Sequence, residues 1–201
     1  MCKHSIQGVW RGKGKRTTVC DPELQRAADL VKRQFTASRP NQLWVADFTY
    51  VATHQGFVYT AFIIDVFARR IVGWKVAKHM DTDLVMDALE QALYARNKPK
   101  HVIHHSDRGS QYLSIRYTER LQAAQLTASV GTTGDSYDNA LAETVNGLYK
   151  TEVIHHQKPW RRMVAVELAT LNWVDWFNNR RLLSSIGYVP PAEFEMTYYR
   201  Q

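Results

Sequence analysis

The sequence predicts an α/β fold, a mixed sheet of three antiparallel strands plus two further strands, with helices packed on it. Three observations support this prediction. Three segments rich in β-branched and aromatic residues follow one another with only short breaks between them. Helical and strand-like segments alternate after them. Finally, a chain of 201 residues with 45% hydrophobic content is long enough for one sizeable core.

The three consecutive strands are predicted at residues 43–53, 57–67 and 71–78. The breaks between them, at residues 54–56 and 68–70, are short enough for hairpin turns. We therefore expect an antiparallel meander.

The next part of the chain alternates between helical and strand-like patterns. Leu84, Ala88 and Ala92 recur at helical spacing, and Asp81 or Thr82 is placed to cap the helix that they predict over residues 82–96. The later elements are predicted as a strand at 101–105, a helix at 117–125, a strand at 126–130, a helix at 139–153 and a helix at 161–179. The last helix is apolar around most of its circumference, so it must be buried or meet a partner.

The ends of the chain divide it into three parts. Residues 1–40 are predicted to form a basic arm followed by a short helix over residues 22–35. Residues 41–195 form the core with its C-terminal helix, and residues 196–201 form a tail. The basic arm fits a solvated tail as well as it fits a DNA contact.

Charge, cysteine content and hydropathy indicate the kind of partner and the compartment of this protein. Lys and Arg total 26 against 19 Asp and Glu, a formal charge of +7 that favours a polyanionic partner, although an ordinary basic protein also fits. Cys2 and Cys20 offer no disulfide framework, which indicates a reducing cytoplasm. The apolar stretch 57–67 is broken by Asp65 and is too short to span a bilayer, so no membrane partner is expected.

Two aspartates occupy positions where a sheet can build a site. Asp47 lies within the first predicted strand, on the same side as Val45 and Thr49, and a carboxylate among core residues is costly unless something positive compensates it. Asp107 follows the strand at 101–105, at the kind of strand end where sites gather in α/β sheets. The alternatives are an edge strand that faces solvent for Asp47 and a plain turn residue for Asp107.

The predicted helix 139–153 carries two stripes. The apolar one consists of Leu141, Val145 and Leu148. The polar one consists of Asn139, Glu143, Asn146 and Lys150. Alone, the polar stripe also fits a solvated helix face.

Together, Asp47, Asp107 and Glu143 could supply a metal site. Two-metal phosphoryl transfer needs a few carboxylates that converge from separate elements, because hard divalent cations prefer oxygen ligands. One strand, one strand end and one helix can provide that arrangement.

Three segments of the sequence resemble a known family. They are WVADFTY at 44–50, HSDRGSQY at 105–112 and GDSYDNALAETVNGLYK at 134–150. They resemble the catalytic motifs of the insertion sequence 3 family of bacterial transposases, within the retroviral-integrase superfamily. Thirty-five residues separate Asp107 from Glu143, as in that family's D,D(35)E signature, and Lys150 also matches its pattern.

The resemblance implies a ribonuclease H-like fold and a DDE transposase that cleaves and transfers DNA strands. It implies that Asp47, Asp107 and Glu143 bind two Mg²⁺ or Mn²⁺ ions, and that Asn139 and Lys150 line the site or contact DNA. The expected partners are insertion-sequence ends, target DNA and further copies of the chain. The expected location is the bacterial cytoplasm, in association with the nucleoid. Further phosphate contacts are expected from arginines outside the motifs: Arg69, Arg70, Arg161, Arg162, Arg180 and Arg181.

Two departures from the family pattern limit the resemblance. Residues 1–40 look like only the tail end of a helix-turn-helix region. Residues 180–188 resemble the family's Arg-x-His-Ser-x-x-Gly-Tyr ending, but no His precedes Ser184.

Alternative functions follow from the same residues. The chain could be a DNA-binding remnant without catalysis, or a host nuclease of the same fold that hydrolyses DNA without joining it. His101, His104 and His105 could suggest a zinc site, but a strand-end cluster near acidic groups explains them better, because Cys2 and Cys20 are distant in sequence.

Overall fold

The computed structural model describes residues 27–107, 109–131, 139–157 and 159–200. Its centre is a five-stranded sheet in the order β3-β2-β1-β4-β5. The strands are β1 (Leu43–Thr53), β2 (Gly56–Asp65), β3 (Arg70–Ala77), β4 (Ile103–Ser106) and β5 (Thr127–Val130). β1, β2 and β3 pair antiparallel, and β4 and β5 run parallel to β1. The predicted meander with two further strands is confirmed.

Within the described residues, five α-helices surround the sheet. They are α1 (Thr82–Ala95), α2 (Ile115–Ala123), α3 (Ala140–Tyr149), α4 (Met163–Asn179) and α5 (Pro191–Tyr199). The Asp81 side chain accepts the backbone N–H of Leu84 and caps α1, one of the two expected caps. The predicted helix 139–153 changes character at Lys150, where α3 gives way to a π-helical turn over Lys150–Ile154. α5 was not predicted.

The two faces of the sheet carry separate cores. Trp44 and Ala46 point to one face, which α1 and α2 cover. Val45 and Phe62 point to the other, which α3 and α4 cover. α1 lies so close to β3 that a Cβ added at Gly73 would clash with the Ala88 carbonyl oxygen. Because side chains alternate along a strand, Asp47 shares the α3 side of β1 with Val45.

The segment before β1 differs from its prediction. Residues 22–26 lie outside the described residues, and residues 27–35 form turns instead of the predicted helix. The Asp29 carboxylate accepts the N–H groups of Val31 and Lys32, both at 2.9 Å, and the Ser129 hydroxyl accepts the Leu30 N–H at 2.9 Å. Local side-chain hydrogen bonds and packing onto β5 therefore prevail over helix propensity. Val31 is buried in the core, so the core begins before residue 41.

Helix α4 is buried on one side only. Val166, Trp173 and Phe177 belong to the core, whereas Val164 and Leu168 are exposed. The predicted burial of this helix is therefore correct for one face. Within the described ranges, no helix combines the length and the apolar character needed to cross a bilayer.

A buried ion cluster ties α5 to the sheet at the amino end of β1. Arg96, at the end of α1, pairs with Glu195 of α5 and lies 3.4 Å from Asp65, and Arg70 lies 2.9 Å from Glu195. Burial alone would raise the pKa of Glu195, but hydrogen bonds and charge from Arg96 and Arg70 outweigh it and hold that pKa below its ordinary value.

Candidate active site

Asp47 and Asp107 are neighbours across two parallel strands. The β1–β4 register pairs Ala46 with Ser106. Asp47 directly follows Ala46, and Asp107 directly follows Ser106. Adjacent strands lie about 4.8 Å apart, so the register places the two backbones side by side. The sequence predicted Asp107 at a strand end, and its position next to Asp47 follows from this pairing.

Asp47 occupies a costly position for a negative charge. Burial, followed by repulsion from Asp107, raises the pKa of Asp47 to about 7, and Glu143 adds a smaller repulsion. Two hydrogen bonds oppose this rise: Phe48 donates its N–H to Oδ1 at 2.8 Å, and Asn146 donates Nδ2–H to Oδ2 at 2.9 Å. Burial and mutual repulsion thus dominate the electrostatics of this carboxylate.

Asp107 and Tyr112 lie next to Asp47 in the site. Burial raises the pKa of Asp107, while the Gly109 N–H, which donates to Oδ1 at 3.0 Å, and the nearby His105 lower it. The Tyr112 ring is buried beside Phe48, with ring centroids 6.1 Å apart. Burial, Tyr117 and the two aspartates raise the Tyr112 pKa well above its ordinary value, so its hydroxyl stays protonated.

Two asparagines hold α3 against β1. Asn139 donates Nδ2–H to the Ala46 carbonyl at 3.0 Å, and Asn146, two turns further on, donates to Asp47. Both residues are buried. The polar stripe of the predicted helix therefore faces the sheet, and the alternative of a solvated face is wrong for these two positions. Their Oδ1 atoms are buried without a hydrogen-bond partner among the described residues.

Glu143 lies between the two asparagines on α3. Its side chain is exposed and lines a groove of about 370 Å³ together with Asp47, Asn146 and Lys150. In the part of the chain that the structure describes, no three His, Cys, Asp or Glu side chains lie close enough to form a metal centre as they stand. Convergence of all three carboxylates on shared ions therefore stays a prediction.

Lys150 borders the same groove. Its Nζ lies 4.9 Å from the centre of the Tyr50 ring, which is a cation–π distance. Glu152, one of the possible partners of this lysine, is instead engaged by the Trp173 indole N–H at 2.9 Å and by Arg181. Lys150 thus lies along the groove, as its position seven residues after Glu143 predicts.

Three of the arginines that were expected to contact phosphate have partners within the chain. Arg69 donates to the Phe35 carbonyl at 3.1 Å, and Arg70 pairs with Glu195. Both sit at the turn between β2 and β3, beside the amino end of β1 and away from Asp107. Arg181 is held by Glu152, and Arg180 is exposed. Phosphate contacts from these four arginines stay a prediction.

The histidines are separated. The ring of His104 lies 3.1 Å from the Tyr117 hydroxyl on one face of the sheet, and that of His105 lies 2.9 Å from the Ser129 hydroxyl on the other. His101 is exposed. This arrangement does not gather zinc ligands.

Comparison with known proteins agrees with this geometry. Residues 37–136 and residues 124–191 each match a family described as integrase core domain. The chain is 61% identical over 199 residues to the transposase for insertion sequence element IS629 of Shigella sonnei, covering 99% of this chain and 66% of that protein. It is 57% identical over 206 residues to a putative transposase for IS986/IS6110 of Mycobacterium tuberculosis, covering all of this chain and 74% of that protein.

More distant relatives share the core. The transposase InsF for insertion sequence IS3A of Escherichia coli is 37% identical over 86% of this chain and 60% of its own length. The chain therefore spans about two thirds of the curated relatives that it matches.

Solved structures show the same fold at low identity. A chain of the simian T-cell lymphotropic virus intasome matches with a TM-score of 0.69 and 15% identity, over 87% of this chain and 60% of that one. The HTLV-2 integrase catalytic core domain in complex with magnesium matches with a TM-score of 0.63 and 16% identity, over 79% of this chain and 99% of that one. The ribonuclease H-like fold is thereby confirmed, and the chain belongs to the insertion sequence 3 family of transposases, with an integrase-type core.

Proposed function

We propose that the chain is the part of a DDE transposase that cleaves DNA strands and joins them by metal-dependent phosphoryl transfer. The observation that carries this proposal is the pair Asp47 and Asp107, half-buried side by side at the end of β4 with their pKa values raised. Two carboxylates in such a position cost stability unless a cation shares them. A structural role does not account for that cost.

The side chains present fit a hard divalent cation. Asp47, Asp107 and Glu143 would hold Mg²⁺ or Mn²⁺, and the donor set consists of oxygen atoms, which these ions prefer. The Oδ1 of Asn146, which has no hydrogen-bond partner among the described residues, adds another oxygen beside Asp47. Bound ions would supply activation of a water or a DNA 3′-hydroxyl and stabilisation of the leaving oxygen.

The rest of the site positions the carboxylates. The Phe48 N–H and the Asn146 amide fix the two oxygens of Asp47, and the Gly109 N–H fixes Asp107. Asn139 anchors the start of α3 to β1, so that Glu143 stays over the groove. Tyr112 packs its buried ring beside Phe48 and keeps a neutral hydroxyl near the aspartates.

DNA is the substrate that the surroundings favour. The chain carries a net charge of +7, and Lys150 places a positive charge along the groove that Asp47 and Glu143 line. Relatives of this chain are transposases for insertion sequences, and an integrase neighbour was solved with magnesium in a dimeric and a trimeric form. We infer that the chain acts on insertion-sequence ends and target DNA, as an oligomer, in the bacterial cytoplasm near the nucleoid.

The test is a resolution assay on a branched duplex that mimics the joined product. Reversal of strand transfer breaks and forms the same kinds of bond as strand transfer itself. With Mg²⁺ or Mn²⁺, the wild-type chain should release the joined strand. Asp47→Asn and Asp107→Asn should abolish release while keeping the melting temperature, because each change removes one of two repelling charges. Asp175→Asn, an exposed change on α4, is the matched control.

Two outcomes would contradict the proposal. Binding of the branched DNA without any metal-dependent release would indicate a silent remnant. Release of hydrolysed strands without resealing would indicate a nuclease of the same fold.

A further inference from the structure

The long strand β1 leaves one of its edges open beside the carboxylates. β4 pairs with β1 only as far as Ala46, whereas β1 runs on to Thr53. Among the described residues, no strand pairs with this side of β1 after Ala46. Two cavities lie along the open edge, the groove at Asp47 and a second cavity of about 460 Å³.

The second cavity adjoins the groove without being part of it. The two share Tyr50 and Lys150, whose ring and Nζ are 4.9 Å apart and stand between them. The cavity is further lined by Val51, Ala52, Thr53, His54, Ile154, His155, Pro159 and Trp160. Its volume falls in the range of about 300–1,000 Å³ that is typical of pockets for small molecules.

Hydrogen bonds within the chain hold Trp160, which forms the floor of this cavity, in place. The buried Trp160 donates its indole N–H to the Ile154 carbonyl at 3.0 Å. Its own carbonyl accepts the His54 N–H at 2.9 Å, which ties the floor to the end of β1. The indole N–H and the carbonyl of Trp160 are thus used internally. The cavity offers aromatic and aliphatic surface beside two imidazoles and one ammonium.

Tyr50, which lines the cavity, is an exposed ring that packs on a second exposed ring, Phe57. Tyr50 and Phe57 are 59% and 57% exposed and pack edge to face, with centroids 5.5 Å apart. Exposed rings beside a cation are the arrangement by which proteins stack unpaired nucleobases while holding the adjoining phosphate. Tyr50 lies three residues beyond Asp47, about 10 Å along the strand, which equals about three base steps of a duplex.

We propose that an unpaired nucleobase, close to the phosphate that the carboxylates attack, leaves the duplex, stacks on Tyr50 and occupies this second cavity. Lys150 would hold the phosphate that links this nucleotide to the strand in the groove. The inference rests on the proposed function, because it assumes that the groove at Asp47 holds DNA. Tyr50 is therefore a positioning residue for the substrate.

The experiment measures binding without any metal, so that it does not depend on catalysis. Short labelled duplexes of random sequence carry a single unpaired nucleotide at successive positions near one strand end, and a fully paired duplex is the reference. Wild-type protein should prefer one unpaired position by about tenfold in Kd. An abasic residue at that position should remove the preference, because it leaves nothing to stack.

Variants assign the preference to the ring. Tyr50→Ala should bind the preferred unpaired duplex, the abasic duplex and the paired duplex about equally. Tyr50→Phe and Tyr50→Trp should keep the wild-type preference. Tyr94→Ala, at an 83% exposed position on α1, is the matched control. Phe57→Ala should weaken the preference partly, and equal melting temperatures exclude misfolding.

Three results would overturn the inference: no preference in the wild type, a preference that survives Tyr50→Ala, or equal binding of the abasic duplex. Failure of the proposed function would look different, since the preference would persist while the branched duplex stayed unresolved with Mg²⁺.

Discussion

Asn146 donates its amide N–H to the Asp47 carboxylate at 2.9 Å, across 99 residues of chain. The bond joins the helix that carries Glu143 to the strand that carries Asp47. It fixes one oxygen of Asp47 while the Phe48 N–H fixes the other. The orientation of the carboxylate is therefore set by residues that carry no charge.

Replacing Asn146 with Ala should weaken the proposed metal site without unfolding the chain. Loss of a residue that orients a metal ligand typically lowers affinity or activity by about 10- to 100-fold. We expect a decrease of that size in Mg²⁺ affinity, measured by calorimetry, and in resolution of the branched duplex. Asn172→Ala, at an exposed position on α4, controls for the change in helix propensity. Wild-type Mg²⁺ affinity in Asn146→Ala would contradict this role.

Replacing Lys150 with Ala should lower DNA affinity in a salt-dependent way. A lysine that neutralises one phosphate contributes close to one unit to the slope of log K against log salt. We expect that slope to become shallower by about 1, with Mg²⁺ affinity unchanged, in binding titrations at several salt concentrations. Lys98→Ala, an exposed change near the amino end of β1, should leave the slope as it is. Equal slopes for Lys150→Ala and wild type would show that Lys150 does not contact phosphate.

The buried His104 should make the fold sensitive to acid. Burial, with a smaller contribution from His105, lowers the pKa of His104 from 6.5 to about 4. Between these values the unfolded chain binds a proton that the folded chain does not, so the free energy of unfolding rises with pH. Acidification from pH 6.5 to 4 should therefore remove up to about 3 kcal/mol.

Chemical denaturation at several pH values would measure this loss. His104→Asn should flatten the pH dependence over this range, even if the variant is less stable at pH 7. The exposed His79→Asn should retain the wild-type dependence. An unchanged acid slope in His104→Asn would assign the sensitivity to other groups.

Replacing Glu195 with Gln should destabilise the fold from its C-terminal end. The change leaves Arg96 and Arg70 without their shared partner, and removing one member of a buried ion pair costs about 3 kcal/mol. We expect a decrease of that order in the free energy of unfolding at pH 7. The exposed Glu193→Gln, on the same helix, is the control. The difference in free energy of unfolding between wild type and Glu195→Gln should shrink as pH falls, because protonation of Glu195 has the same effect as the substitution.

The predictions of the strands and of the orientation of Asp47 relied on local sequence signals. The hairpin strands were read from short breaks between apolar runs, and their antiparallel pairing followed from those breaks. The side of Asp47 followed from alternation with Val45, and the structure places both towards α3. Such features depend on neighbours in sequence, which is why they could be predicted.

Features that depend on distant partners could not be predicted. Asn146 belonged to the predicted polar stripe, but its role needs a contact with Asp47, 99 residues away. Tyr112 lies inside a motif, yet only the fold shows its ring beside two aspartates. The ion pair of Arg70 with Glu195 needs α5, which the sequence did not predict. The predicted helix before β1 was wrong because Ser129, far along the chain, captures the Leu30 N–H.

The register between β1 and β4 determines where this chain can tolerate changes in length. Asp47 and Asp107 are held together by strand pairing, so the residues that connect α1 to β4 do not set their separation. Insertions between Arg96 and Val102 should therefore leave the pair intact. Deleting one residue within β4 would instead turn Asp107 to the opposite face of the sheet and separate the two carboxylates. The connection between α1 and β4 can therefore change in length during evolution, whereas the four-residue strand β4 cannot.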